Sequence, residues 1–177
     1  FLNNDFAIIS AVYNYQTHTE EYSLVRSRDE RDAARGSKYV ESKPGDIFKV
    51  AEKWLQDNPE KELLFVGMGC QAEGFRKFAE VSGLRNRVYV VDIICHGSPS
   101  SRLWKEYAKS LERKHNGKIT YLTFRDKRNG WTVPTAYCTI NDKEVRIADY
   151  VNIFYSRCAY RPSCHVCPFD TTERKVD

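Results

Sequence analysis

Glu62-Leu63-Leu64-Phe65-Val66-Gly67-Met68-Gly69-Cys70-Gln71 is the stretch on which the fold turns. From Glu62 to Val66 it is short and mostly apolar, as in a strand buried inside a parallel sheet. Gly67-Met68-Gly69 reads as a sharp turn. From about Cys70 to Val81 the period changes, with Ala72, Phe75, Phe78 and Ala79 on one helical face and Gly83 just past the end. Val88 to Ile94 reads as a second buried strand. Ser98-Pro99-Ser100 then opens a helix to about His115, with Leu103, Trp104, Tyr107 and Leu111 inward and Gly117 closing it. Strand, helix, strand, helix in this order implies neighbouring parallel strands with a right-handed crossover.

Working outward, Phe6 to Tyr15 and Tyr22 to Arg26 read as strands. Ser27 with Glu30 is a capping-box pattern for a short helix to Arg35, stopped by Gly36. Asp46 to Asp57 reads as a helix from the spacing of Ile47, Val50, Ala51, Trp54 and Leu55. After Gly117 the pattern becomes antiparallel. Ile119 to Phe124, Trp131 to Ile140 and Glu144 to Tyr150 read as strands, with turns at 126–130 and at Asn141-Asp142. Ser156 to Phe169 is a cysteine-rich loop. The expected class is α/β: a mixed sheet with a central parallel βαβα unit, then antiparallel strands and the terminal cysteine-rich loop.

With 177 residues, 41% of them apolar, the chain can build a real core. A net charge of +4 is a mild excess that suits an anionic cofactor and does not mark a nucleic-acid protein. No apolar run has transmembrane length and no secretory pattern opens the sequence. The expected location is cytoplasmic.

Six cysteines are present: Cys70, Cys95, Cys138, Cys158, Cys164 and Cys167. Without a secretory segment, metal or redox chemistry is the leading reading over disulfides. Cys70 follows one strand and Cys95 the next. Parallel neighbours would put both at the carboxyl edge of the sheet, where open α/β sheets bind ligands. Cys70 also lies near a helix N-terminus, which favours the thiolate that ligates metal. Cys164-His165-Val166-Cys167-Pro168 adds two sulfurs in a spacing that suits one metal or one cluster. Four thiolates from three segments would complete a [4Fe–4S] cluster or a four-cysteine zinc site. Cys138 reads as core, and Cys158 as either an extra ligand or a bystander. His96 is either a loop histidine satisfied by backbone or a cofactor partner.

Five phrases, in order, carry a resemblance: residues 35–42 (Arg35-Gly36-Ser37-Lys38-Tyr39-Val40-Glu41-Ser42), residues 64–71 around Gly69-Cys70, and residues 92–100 around Cys95-His96-Gly97. Phe124-Arg125-Asp126-Lys127 with Gly130-Trp131 follows, then Arg161-Pro162-Ser163-Cys164-His165-Val166-Cys167-Pro168-Phe169. Together they resemble the coenzyme F420 hydrogenase/dehydrogenase beta-subunit family, over roughly Val12 to Phe169. The resemblance implies a flavoprotein oxidoreductase carrying FAD and at least one [4Fe–4S] cluster. Such a protein passes electrons between a two-electron carrier (a deazaflavin such as coenzyme F420, or another substrate) and the iron–sulfur centres of partner subunits or domains.

Carried over by motif, Cys70, Cys95, Cys164 and Cys167 are the cluster ligands. Gly36, Ser37, Lys38 and Tyr39 form a loop for flavin contacts, since a glycine turn with a lysine can approach a pyrophosphate. Arg125 and Lys127 are cofactor contacts or solvated charges at a strand end. No acid–base pair stands out. Met68-Gly69 stands where the family has a proline before its first cysteine. The family's amino-terminal ferredoxin-like region and a segment after the last cysteine pair do not occur in the sequence. The expectation is one domain, residues 1–177, from a longer iron–sulfur flavoprotein. The alternative is a four-cysteine zinc module, or a cofactor-free one, that binds a partner.

Overall fold

The computed structural model describes residues 6–131 and 135–170. Strands β1 (Phe6–Asn14) and β2 (Thr19–Val25) form an antiparallel hairpin in which Tyr13 pairs with Glu20. Ser27 then caps helix α1 (Arg28–Ala34), and the reciprocal bond from Glu30 to the Ser27 backbone is present, so the capping box forms as expected. A two-residue strand, β3 (Ser42–Lys43), leads to α2 (Ile47–Asp57). This helix buries Ile47, Ala51 and Leu55 at intervals of four and leaves Val50 partly exposed.

The decisive stretch is β4 (Glu62–Met68), followed by α3 (Gly69–Val81), β5 (Val88–Ile93) and α4 (Ser101–His115). Gly67 and Met68 stay in the strand, where Met68 still pairs with Ile93 of β5; the helix begins at Gly69 with no intervening loop. The expected sharp turn is therefore a single change of backbone direction. The strand order is β3-β2-β1-β4-β5, with β1, β4 and β5 mutually parallel. One face packs on α2 and α3 through Ile9, Leu24, Leu63, Phe65 and Phe75.

The reading of β5 as fully buried is corrected. Val88 and Val90 face α3, but Tyr89, Val91 and Ile93 are about half exposed because β5 is the sheet's edge and its second face is uncovered. An apolar run marks a strand without saying how many of its faces are covered.

A second sheet follows: β6 (Ile119–Asp126), β7 (Thr135–Ile140) and β8 (Lys143–Arg146), all antiparallel. Positive φ at both Asn141 and Asp142 matches a two-residue hairpin turn. The expected strand from Trp131 is observed from Thr135; residues 132–134 lie outside the described residues. Glu144 to Tyr150 is also corrected. Alternation ends at Ile147, and helix α5 (Ala148–Ser156) begins. Tyr150 is buried on that helix, not in a strand. At the end of α4 the left-handed residue is Asn116, not Gly117. Trp104, Phe124, Cys138, Ile147 and Tyr150 form a second core between α4, α5 and this sheet. Among the described residues no helix is long and apolar enough to cross a membrane.

Candidate functional site

Residues 160–170 fold back onto the loop after β5. Tyr160 forms a bridge with Pro99, and the Arg161 N–H donates to the Ser98 carbonyl at 3.1 Å. Gly97 has a φ of +122°, and a β-carbon there would collide with the Tyr160 ring. Glycine thus meets both the backbone conformation and the close approach. Farther along, Phe169 lies over Gly69 at the start of α3, where a β-carbon on Gly69 would stand 3.0 Å from it. His96 Nδ1 is 3.1 Å from Asp170 Oδ1.

These contacts bring Cys164 and Cys167 against Cys70 and Cys95. All four line one cavity of about 20 Å³ with Arg161, Gly97 and Asp170. Burial raises the Cys70 and Cys95 thiols above the ordinary cysteine range, and the neighbouring cysteine sulfurs add to the rise. At Cys70, at the start of α3, burial is the largest influence, the Cys167 and Cys164 sulfurs add to it, and Arg161 pulls the other way. Cys138 is fully buried in the second core, its thiol pushed up to about 11 by burial. Cys158 is exposed, does not line the cavity, and bonds with Ser156.

The donor set suits a four-thiolate cluster in type and number. Arg161 adds to the fit. Its guanidinium pairs with Glu41 and reaches Cys164 Sγ at 3.8 Å, yet its Nε is buried without a hydrogen-bond partner among the described residues. A cationic donor left open beside four sulfurs matches the negative charge that thiolates and sulfides would carry. The enclosed space is about one water in size. A cube of iron and sulfide is larger than this space, so the four cysteines would have to spread apart to hold one. Among the described residues, no three His, Cys, Asp or Glu side chains are grouped so as to hold a single metal ion.

A larger cavity, about 650 Å³, lies between the β1–β2 hairpin, the loop after α1, and β6. That is within the usual size of a cofactor pocket. Gly36, Ser37, Lys38 and Lys127 all line it, together with Arg35, Tyr13, Tyr15, Glu20 and Phe124. The Lys38 ammonium donates to the carbonyls of Ala34, Arg35 and Gly36, the nearest at 2.8 Å, and so caps the end of α1. Lys127 Nζ sits 3.2 Å from the centre of the Trp131 ring. Tyr39 points elsewhere: it stacks on Phe154, bonds with the Tyr155 hydroxyl and has Arg125 beside it. Of the residues expected at a cofactor, the structure gathers Gly36, Ser37, Lys38 and Lys127 at this cavity. Tyr39 and Arg125 pair with each other, and His96 stands beside the cysteines.

A family model for the C terminus of the coenzyme F420 hydrogenase/dehydrogenase beta subunit matches residues 60–177. The chain belongs to this family. A chain of the F420-reducing [NiFe] hydrogenase complex from Methanosarcina barkeri, solved with xenon, is similar in structure, with a TM-score of 0.55 and 16% identity. The match covers 91% of this chain and 53% of that one, so this chain spans about half the length of that relative. At this identity the likeness supports the fold. No curated protein sequence matches the chain.

Two residues at these cavities escape a reading of the sequence. Arg161 sits inside the last of the five family phrases but looks like any loop cation. Glu20 shares its strand parity with the buried Tyr22 and Leu24, and that alternation is the signal that a carboxyl faces inward.

Proposed function

We propose that the chain is the electron-transferring part of an iron–sulfur flavoprotein oxidoreductase. It exchanges electrons between a two-electron carrier, a deazaflavin of the F420 type or another redox substrate, and the iron–sulfur centres of partner subunits or domains. The observation that carries this reading is the meeting of Cys70, Cys95, Cys164 and Cys167 at one cavity in a chain of this family.

Cys70, Cys95, Cys164 and Cys167 would hold a [4Fe–4S] cluster, and the 650 Å³ cavity would hold FAD. When bound, the flavin supplies conversion between two-electron and one-electron transfer. The protein's residues position and tune. Arg161 offsets negative charge at the sulfurs. At the larger cavity Arg35 and Lys127 present positive charge toward an anionic cofactor, while Tyr15 and Phe124 offer flat apolar walls. His96 follows Cys95 in the chain and pairs with Asp170, which lines the cysteine site.

Anaerobic reconstitution with iron, sulfide and FAD, followed by absorption spectra and metal analysis, tests the proposal. The expected result is about four irons and four sulfides per chain, the content of one cubane cluster, with a broad band that bleaches on reduction. Zinc or free thiols in place of iron, with no bound flavin, overturns it.

A further inference from the structure

Among the described residues, Glu20 is the one charged side chain with no exposure at all, and neither carboxylate oxygen has a hydrogen-bond partner there. Buried polar groups nearly always find a partner, and an orphan calls for an explanation. The nearest candidate from the protein is Lys38. Its ammonium acts on Glu20 through space, but its hydrogen bonds go to the carbonyls at the end of α1. Glu20 lies at the wall of the 650 Å³ cavity without surface exposed to it. A ligand seated against that wall, with a small side-chain shift, is the partner this placement offers.

Burial raises the Glu20 carboxyl well above the ordinary carboxylate range, with the Lys38 charge opposing. A neutral carboxyl offers one O–H donor and one carbonyl acceptor side by side. That pattern matches a cyclic amide edge, where a ring N–H stands next to a carbonyl. The rings of Tyr15 and Phe124 line the same cavity and suit a flat heteroaromatic ligand.

We propose that Glu20 anchors the ring of the cavity's ligand by pairing its carboxyl with the pyrimidine-dione edge, an N–H beside a carbonyl. Flavins and deazaflavins share this edge, so either can be the occupant. This rests on the larger cavity being the flavin-type site of the proposed function.

The test is fluorescence titration of the full chain with FAD, with an F420-type deazaflavin, and with the N3-methyl form of each, in which the edge N–H is blocked. Native protein, Glu20→Leu and Glu20→Gln are compared. The native chain is expected to bind at least one unmethylated ring, and to lose about tenfold on methylation, the weight of one buried hydrogen bond. Glu20→Leu should bind that ring about tenfold more weakly and be indifferent to the methyl group. Glu20→Gln, whose amide keeps a donor and an acceptor, should stay within about threefold of native. Ligand-free Glu20→Leu should melt at or above the native temperature, because it removes an unsatisfied buried carboxyl. That also shows that the variant folds. Whichever ring binds tighter identifies the occupant. Native binding that ignores both the methyl group and Glu20→Leu overturns the role of Glu20 and leaves the flavin site standing. Failure of native protein to bind either ring overturns the flavin site, and the anchor with it.

Discussion

The Tyr160 ring packs against the bare α-carbon of Gly97, 63 residues away in the chain, and this contact docks the cysteine-rich segment onto the loop carrying Cys95. Gly97→Ala places a β-carbon into the ring at a backbone angle that L-residues resist. The expected cost is about 2 kcal/mol or more, from strain plus collision. Thermal unfolding should show it. Labelling of Cys164 by a thiol reagent should quicken as the segment lifts. Gly97→Ala with Tyr160→Ala should recover part of the loss, because the collision goes and the strain stays.

Cys164→Ser with Cys167→Ser removes two of the four sulfurs while touching neither apolar core. The expected outcome is loss of nearly all iron and sulfide after reconstitution, with the thermal midpoint of the metal-free chain within a few degrees of native, since these half-exposed positions each carry about 0.5 kcal/mol or less. Iron retained in full would remove these two cysteines from the site.

Tyr13 joins the hairpin to the second core. Its hydroxyl accepts the Trp104 indole N–H at 3.0 Å and lies 2.8 Å from His18 Nδ1, and His18 Nε2 in turn is 3.3 Å from Glu112. Tyr13→Phe leaves the Trp104 donor and the His18 nitrogen without this partner inside the core. A loss of about 2 to 6 kcal/mol is expected in denaturant unfolding, at the usual cost of about 1–3 kcal/mol for each of the two orphaned groups. Adding Trp104→Phe should bring less than its own separate cost, because the orphaned indole donor has gone.

Glu20 also predicts a pH dependence. Its carboxyl is raised from an ordinary 4.5 to about 8, by burial against the opposing charge of Lys38. Between those values the folded chain keeps a proton that the unfolded chain has released. Stability from this group therefore falls as pH climbs from about 4.5 to 8, and levels off on either side. Tyr13, Tyr15, Tyr22 and Tyr150 also feel Glu20, but all four stay neutral across that range. Glu20→Gln should melt increasingly above native as pH rises through this window. Parallel melting curves at pH 5 and pH 8 would refute the shift.

Local rules make much of the framework legible. The capping box of Ser27 and Glu30, the four-residue spacing in α2, and the order of β4, α3, β5 and α4 depend on neighbours in the chain, and all of them form. What escapes depends on contacts between distant segments. The apolar run of β5 does not say that one of its faces is left open, and the alternation through Val145 and Ile147 hides a helix starting one residue later. At the candidate site the meeting of four cysteines is legible because each strand end or spacing points to the same sheet edge. Glu20 escapes notice because a glutamate in a short hairpin strand is usually turned to solvent. Arg161 does so because its place beside Cys164 depends on how the tail docks.

That docking has a consequence for how the protein is made. Synthesis delivers Cys70 and Cys95 well before Cys164 and Cys167, and domains tend to fold from the amino end as the chain emerges. A nascent chain stalled after α4 would display a finished parallel strand pair and only two of the four sulfurs. The four cysteines come together only after residues 160–167 have emerged and Tyr160 has found Gly97. If these four sulfurs hold the proposed cluster, it can form only once residues 160–167 have been made and have docked.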